Sequence, residues 1–574
     1  MDTSRFKQFD FSAGVQTATS FLLRRSNEVE KAVNSRFDDE IGGIVSRKGY
    51  TLFGSQVEDG KDGLGLHVSN FDGGSKLLMA IDNAGSTETR IYHVQSGSNT
   101  QLTMTEPDNG TEMQFVDAIN ETYVVGYSAT DDSYMAPHNI QEDLTASQSR
   151  NLTDAPDGAK FVASFDGLLL LMNVKIGSDV YPDRIYKGFP KAEVTFIRGD
   201  QSGTLTTLEI DSTRFIKVGQ VVDIYTAGTD TKVEDSITVA SVDKANNKIG
   251  FTSRTIDVSD NDEIWLEDRK DEFAYFFNST APTPEQSDFI RIPQGRVASR
   301  AITGHAKSNN RLFIFTKSST IKISGRNGNP VILFDDVGCI SHKSIQSIGD
   351  WLIWLDASGN IRGYNDSTGQ FDIISKAVKR DYLELLTQAQ MAASTSGSME
   401  DIYKIYIGTV NGKNIRLVYE IRSNVWSIEE HALEMKQHTV FDESGVNKSY
   451  FTDNDGNVFK DESGNTDNGS PIPWYVELGN NLFETEAQKS YHAVHVFSGK
   501  AKGTSIRAKI NDRESIKVGE ITENSQSITI PGKGTDLQGE YINYIISNNG
   551  QYGESVFRGL VSYYSLEQSN ASRR

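Results

Sequence analysis

The sequence predicts an all-β chain of β-propeller-like repeats, with a small β-barrel inserted among them and a β-sandwich at the C-terminal end. Three observations predict this. Short apolar runs recur at a near-constant interval. Each run leads through a polar turn into an alternating strand, and the rhythm breaks once, where strands of a different kind intervene.

The apolar runs begin at Leu77, Tyr123, Leu168, Leu312, Trp351 and Tyr403, and Tyr450 marks the last. They lie 46, 45, 39, 52 and 47 residues apart, with a single gap of 144 between Leu168 and Leu312. A period of roughly 40–50 residues is what a four-stranded propeller blade uses. Turns of hairpin composition follow the runs, as in Asp356-Ala357-Ser358-Gly359-Asn360 before Ile361 and Asp453-Asn454-Asp455-Gly456-Asn457 before Val458. The run is apolar on both faces, which reads as an inner strand of a blade, and its partner alternates, which reads as half-exposed.

Within the long gap, residues 192–268 carry short regular strands: Thr207-Leu208-Glu209-Ile210, Val221-Val222-Asp223-Ile224-Tyr225, Ser236-Ile237-Thr238-Val239-Ala240 and Lys248-Ile249-Gly250-Phe251. With Phe215 to Asp223 and a turn over 242–247, they predict a small β-barrel. The chain resumes at Phe273-Ala274-Tyr275-Phe276-Phe277. From Trp474 onward, period-two alternation around Tyr491–Phe497, Thr504–Ile510, Ser527–Ile530 and Tyr541–Ile546 predicts a sandwich. One helix is expected over 376–393, with Val378, Tyr382, Leu385, Leu386 and Ala389 on one face. The organisation is therefore 1–60 as an N-terminal docking segment with the first strands, 61–191 and 269–473 as the two propeller halves, 192–268 as barrel and 474–574 as sandwich.

At 574 residues the chain exceeds one ordinary core. A net charge of −21 disfavours a protein that grips nucleic acid by neutralising phosphates. The single Cys339, in Val337-Gly338-Cys339-Ile340, allows no disulfide framework or thiolate cluster and reads as a small buried hydrophobe. The start of the chain lacks the apolar run of a signal peptide, and no stretch approaches the ~18 apolar residues of a membrane span. A reducing cytoplasm is the expected site of synthesis, which disfavours a secreted propeller module.

No phosphate-binding loop, nucleophile elbow or His-Glu-x-x-His helix is present. His492 and His495 stand at odd spacing on a strand, so their rings are expected on opposite faces. The Asp453/Asp455 turn opens like a calcium loop but has Gly464 where the closing acid should stand, so a hairpin explains it equally well. The pairs Asp335-Asp336 and Glu429-Glu430 and the triplet Asp38-Asp39-Glu40 are what 78 acidic residues produce by chance. The basic pairs Arg24-Arg25, Arg47-Lys48, Lys379-Arg380 and Arg573-Arg574 read as solvated surface or interface contacts. No catalytic, cofactor or metal residue is therefore nominated, and no enzyme is expected.

Two stretches carry a family resemblance. Phe9-Asp10-Phe11-Ser12-Ala13-Gly14-Val15 is followed by Leu22-Leu23-Arg24-Arg25-Ser26-Asn27 through Asn34 and then by Gly42-Gly43-Ile44-Val45-Ser46-Arg47-Lys48-Gly49-Tyr50. Arg311 to Ser375, with Val337-Gly338-Cys339-Ile340-Ser341 and Trp351-Leu352-Ile353-Trp354-Leu355, is the second. Both resemble the nozzle or tail-tube proteins, and the related head-to-tail stabilisation proteins, of short-tailed bacteriophages. The resemblance implies a virion tail component that forms a homohexameric ring, docks below the portal on a head–tail adaptor, holds fibres or spikes and lets viral DNA leave without sequence recognition. The competing expectation is a carbohydrate-binding or carbohydrate-cleaving propeller, which aromatic platforms such as Trp351, Trp354, Trp426 and Trp474 would favour, although most of these sit in strand patterns that read as core.

Overall fold

The computed structural model describes residues 4–566 apart from 18–26, 39–42, 72–73, 84, 105–106, 119–120, 142, 145, 148–151, 154, 191–194, 212, 214–215, 227–230, 267–274, 278–288, 294–299, 326–327, 444–445, 481–486, 500–501, 512, 523, 533–536 and 552–553. Arg24-Arg25, Asp39-Glu40, Phe215, Phe273-Ala274 and Arg573-Arg574 lie outside the described residues.

Seven antiparallel blades form a closed propeller. Their axial strands are Gly63–Phe71, Thr111–Ala118, Gly158–Phe165, Ile302–Ser308, Gln346–Ile348, Thr395–Met399 and Met435–Glu443. Each packs against the next, and Met435–Glu443 returns to Gly63–Phe71 to close the ring. The last blade is completed from the other end of the chain: Thr51–Leu52 pairs with Val458–Lys460 as its fourth strand. This joins residues about four hundred positions apart, and it removes a free edge.

The apolar runs do not line the axis. They are the second strand of each blade, as in Leu77–Ile81 within Gly74–Asp82 and Leu312–Phe315 within Arg311–Thr316. A second strand has a partner at both edges and a neighbouring blade on both faces, so both of its faces are dry. Leu77 to Ile81 and Leu312 to Phe315 are 0–1% exposed. The axial strand has one edge on the bore and can carry polar side chains such as His67, Gln114 and Gln437.

The 144-residue gap is an insertion between the third and fourth strands of the third blade, Asp179–Pro190 and Phe289–Arg291. Six strands within 195–266 form one sheet, and a bridge from Ile197 to Ile210 joins its two end strands. The sheet is thus a closed small barrel, with its own core of Ile210, Val222, Ile224, Ile237, Ile249 and Ile264 among others.

The sandwich draws on both termini. One layer comprises Trp474–Glu477, Ile542–Asn548, Thr504–Ile510 and Ile516–Ile521, and it continues through Lys31–Val33 into the sixth blade, where Val33 pairs with Ile428. The other layer is Ser525–Thr529, Lys489–Gly499, Val556–Leu566, Gly43–Ser46 and Ser35–Asp38, with Ser4–Gln8 also on Val556–Leu566. The described strands among the first 60 residues are accordingly woven into the sandwich and the last blade. Among the described residues, no helix is long and apolar enough to cross a membrane.

The helix expected over 376–393 is not continuous. Ile374–Ala377 and Leu383–Leu385 are 3₁₀ turns, and the α-helix is only Gln388–Ala393. Thr387 restarts the chain with a capping box, its hydroxyl accepting from the Gln390 amide while the Gln390 side chain accepts from the Thr387 amide. Leu385, expected on the buried face, is 51% exposed.

Candidate functional site

Two places gather functional groups: the axial cavity and the seam between the last two blades. The cavity lies at the end of the bore where the axial strands begin. It measures about 160 Å³ and is lined from the first, second, fifth, sixth and seventh blades and the turn before the fifth. A second cavity of about 370 Å³ shares Lys343 with it.

Charged groups around the two cavities are paired. His67 Nε2 lies 2.8 Å from Asp117, which also accepts from the Thr122 hydroxyl and the Asn70 amide. Burial opposes the Asp117 charge, but His67 and these bonds outweigh it and hold the carboxyl below its usual range. Around the second cavity, Lys343 Nζ is 2.9 Å from Glu112, and Lys436 Nζ is 3.1 Å from both Asp62 and Glu434. Deeper in, the His305 amide donates to His342 Nδ1 at 3.3 Å, and the two rings lie 4.7 Å apart. Burial pushes both imidazoles toward the neutral form, His305 to about 4.

The uncommitted groups are neutral. Gln114 and Gln437 line the cavity with side-chain amides that meet water rather than a protein partner. Gln437 is 8% exposed. His438 meets Thr395 through Nδ1 at 3.3 Å, while its buried Nε2 has no partner. Burial, with Arg416 behind it, holds this ring at about 3, hence neutral.

The seam is a dry ion network. Arg416 donates through Nε to Glu429 at 2.6 Å and through Nη1 and Nη2 to Asp461 at 3.0 and 3.1 Å. Lys404 Nζ reaches Asp461 at 2.7 Å and Glu462 at 2.6 Å. Arg36, from the sandwich, donates to Glu429 at 2.5 Å and Glu462 at 2.6 Å. Three cations thus face three carboxylates across the sixth blade, the seventh blade and the sandwich. Arg47 extends the clamp to Asp467, and Asn34 is braced between the Arg47 guanidinium and the Glu430 amide.

From the sequence alone Glu429 stands only as one of a chance pair, and Lys404, Arg416, Arg36 and Asp461 do not stand out as a cluster. A signal existed: Lys404 interrupts the apolar run Tyr403–Ile407, where a dry position demands a partner.

The remaining polar residues weighed from the sequence serve local structure. Asp453 Oδ1 accepts from the Asp455 and Asn457 amides, and Oδ2 accepts from the Asn457 side chain, so its oxygens brace the hairpin. Asp356 does the same for Ser358 and Asn360. No metal-ligating group of three or more His, Cys, Asp or Glu occurs among the described residues. His492 meets Ser565 and His495 meets Ser525, on different strands. Trp354, Trp426 and Trp474 are core residues at 0–2% exposure and cannot act as sugar platforms.

No protein-family model matches the sequence, and no curated protein matches it. Similar solved structures include the WD40 β-propeller domain of Doa1, at 8% identity and TM-score 0.33, covering 72% of this chain and 96% of that one. YCF48 bound to D1 peptide is similar at 8% identity and TM-score 0.32, over 73% and 94% of the two chains. BamB from Moraxella catarrhalis is similar at 10% identity and TM-score 0.31, over 75% and 96%.

Proposed function

We propose that the chain is a structural component of a phage tail, a nozzle or tail-tube ring that docks below the portal–adaptor complex and carries other tail proteins. The observation that carries this reading is the seam. A propeller closed by its own N-terminal strand, and clamped to a sandwich by a balanced buried ion network, is a stiff frame suited to bearing load. The family resemblance of 9–50 and 311–375 supplies the context.

On this reading DNA does not pass through the propeller bore, whose axial cavity of about 160 Å³ is lined by side chains. The exit channel lies between copies of the chain. Six copies, each at −21, would surround it with acidic surface, which repels duplex phosphates and lets DNA slide without sticking. The inserted barrel, which leaves the third blade at the end opposite the axial cavity, is the natural arm for a fibre or spike.

The test is the mass and negative-stain image of the purified protein, alone and with tail partners. Six-fold rings are expected. A chain that stays monomeric at every concentration and with every tail partner overturns the reading.

A further inference from the structure

We propose that the axial cavity is a binding site for a single neutral sugar unit. This goes beyond the tail reading and does not depend on it.

The ligand class follows from which groups around the cavity are free. His67, Lys343 and Lys436 each already have a carboxylate partner, so none of them is free to receive an incoming charged group. The groups that lack partners are uncharged: the amides of Gln114 and Gln437 and the Nε2 of His438. An amide both donates and accepts, as a hydroxyl does, so the water-accessible Gln114 and Gln437 amides can exchange water for a ligand hydroxyl. The buried His438 Nε2, which has no partner, would gain a hydrogen bond from such a hydroxyl.

Shape and polarity agree. At ~30 Å³ per water, the cavity of about 160 Å³ has room for roughly five waters, or for one six-membered sugar ring. Its walls are of two kinds. Met113 and Phe115 offer apolar surface, and Phe115 is kept in place by stacking on His67 at 5.6 Å and 4°. The two glutamines supply the polar side. A pyranose has the same division between C–H faces and hydroxyl rim. The cavity is itself open to solvent, so a ligand can reach it directly.

Saturation-transfer NMR and thermal shift on the full chain test this with D-glucose, D-galactose and N-acetyl-D-glucosamine, against glucuronate and glucosamine as charged counterparts. At least one neutral sugar is expected to show saturation transfer and raise the melting temperature, and both charged sugars to bind more weakly. Gln437→Leu and Gln114→Leu, which keep volume and remove the amide, are expected to weaken that binding about tenfold each. A melt of each variant without sugar, together with its circular dichroism, separates loss of binding from loss of fold. Absence of binding by all three neutral sugars to the wild-type chain overturns the proposal. So does tighter binding of a charged sugar, or unchanged affinity in both folded variants.

Discussion

Arg416 and Asp461 meet across the seam between the last two blades as a two-point pair, Nη1 to Oδ2 at 3.0 Å and Nη2 to Oδ1 at 3.1 Å, both shut off from water. Two dry charges at this distance are costly to create and more costly to separate. Their value here lies in what they tie together. Arg416 sits on the sixth blade and Asp461 just after the third strand of the seventh, beside the strand that closes the ring.

Removing one partner strands the other. Asp461→Leu leaves Arg416 and Lys404 short of a carboxylate, and Arg416→Met leaves Asp461 and Glu429 short of a guanidinium. Each single change is expected to cost about 3–5 kcal/mol in urea denaturation. The double change is expected to cost less than the two added, by about 1 kcal/mol or more, because it removes both charges together. Single variants within about 1 kcal/mol of the wild type would show that the pair is not buried in solution.

Acid is expected to loosen the fold before the carboxylates titrate. Unfolded histidines take up a proton near 6.5, whereas burial holds His305 at about 4 and His431 and His438 at about 3 in the folded chain. His431 and His438 also face the cations Arg416 and, respectively, Arg47 and Lys404, which add to the depression; Glu429 beside His431 and Asp461 near His438 oppose it. Between those values the unfolded state binds more protons, so stability falls as the pH is lowered from 6.5, by up to ~1.4 kcal/mol per pH unit for each such ring. A second loss follows below 4.5, where the unfolded carboxyls protonate. Burial opposes the charges of Glu429, Asp461 and Glu462, but Arg416, Arg36 and Lys404 keep them ionised in the folded state. Calorimetry from about pH 7 to about pH 5 checks the first phase. His431→Gln should reduce its slope; a flat melting temperature across that range would contradict it.

What the sequence disclosed and what it hid follow from the range of the interactions. The strand runs, the inserted barrel and the sandwich alternation are local patterns, and they were legible. Each of the seven runs marks one blade, although it occupies the second strand and not the axial one. The pairing of Leu52 with Phe459, or of Val33 with Ile428, depends on contacts across about four hundred residues and leaves no local trace. The axial cavity was illegible for the same reason. Gln114 and Gln437 are ordinary strand residues until ring closure brings their blades together. Lys404 alone carried a local warning.

Two glycines with nearly the same backbone separate clash from strain. Gly456 and Gly359 have φ of +73° in the matching Asp-x-x-Gly-Asn hairpins. A Cβ on Gly456 would lie 1.8 Å from the Glu58 carbonyl oxygen, whereas one on Gly359 would meet the Met391 sulfur at 3.3 Å and the Leu383 carbonyl oxygen at 3.6 Å. Gly359→Ala is expected to cost about 1 kcal/mol in backbone strain alone. Gly456→Ala must also expel the segment around Glu58, which the Val57 amide, the Gln56 side chain and the Gly60 amide bind to this turn. Its cost should exceed that of Gly359→Ala by about 1–3 kcal/mol. Limited proteolysis should then cut near 56–60 in Gly456→Ala only. Equal destabilisation of the two variants would mean that the segment does not cap the turn.

The single thiol reports on the integrity of the propeller. Cys339 is 0% exposed, packed among Phe313, Phe315, Trp354 and Tyr364 between the fourth and fifth blades. Its amide donates to the Thr316 carbonyl at 2.9 Å, and its sulfur sits 3.0 Å from the Ser341 carbonyl. Burial pushes the thiol up to about 12, so the reactive thiolate is suppressed as well as inaccessible. An aromatic disulfide reagent is expected to modify no thiol in the native chain and one per chain in denaturant. Reaction in the native state at the global unfolding rate fits a closed ring; a much faster reaction would mean that the fourth and fifth blades part without unfolding.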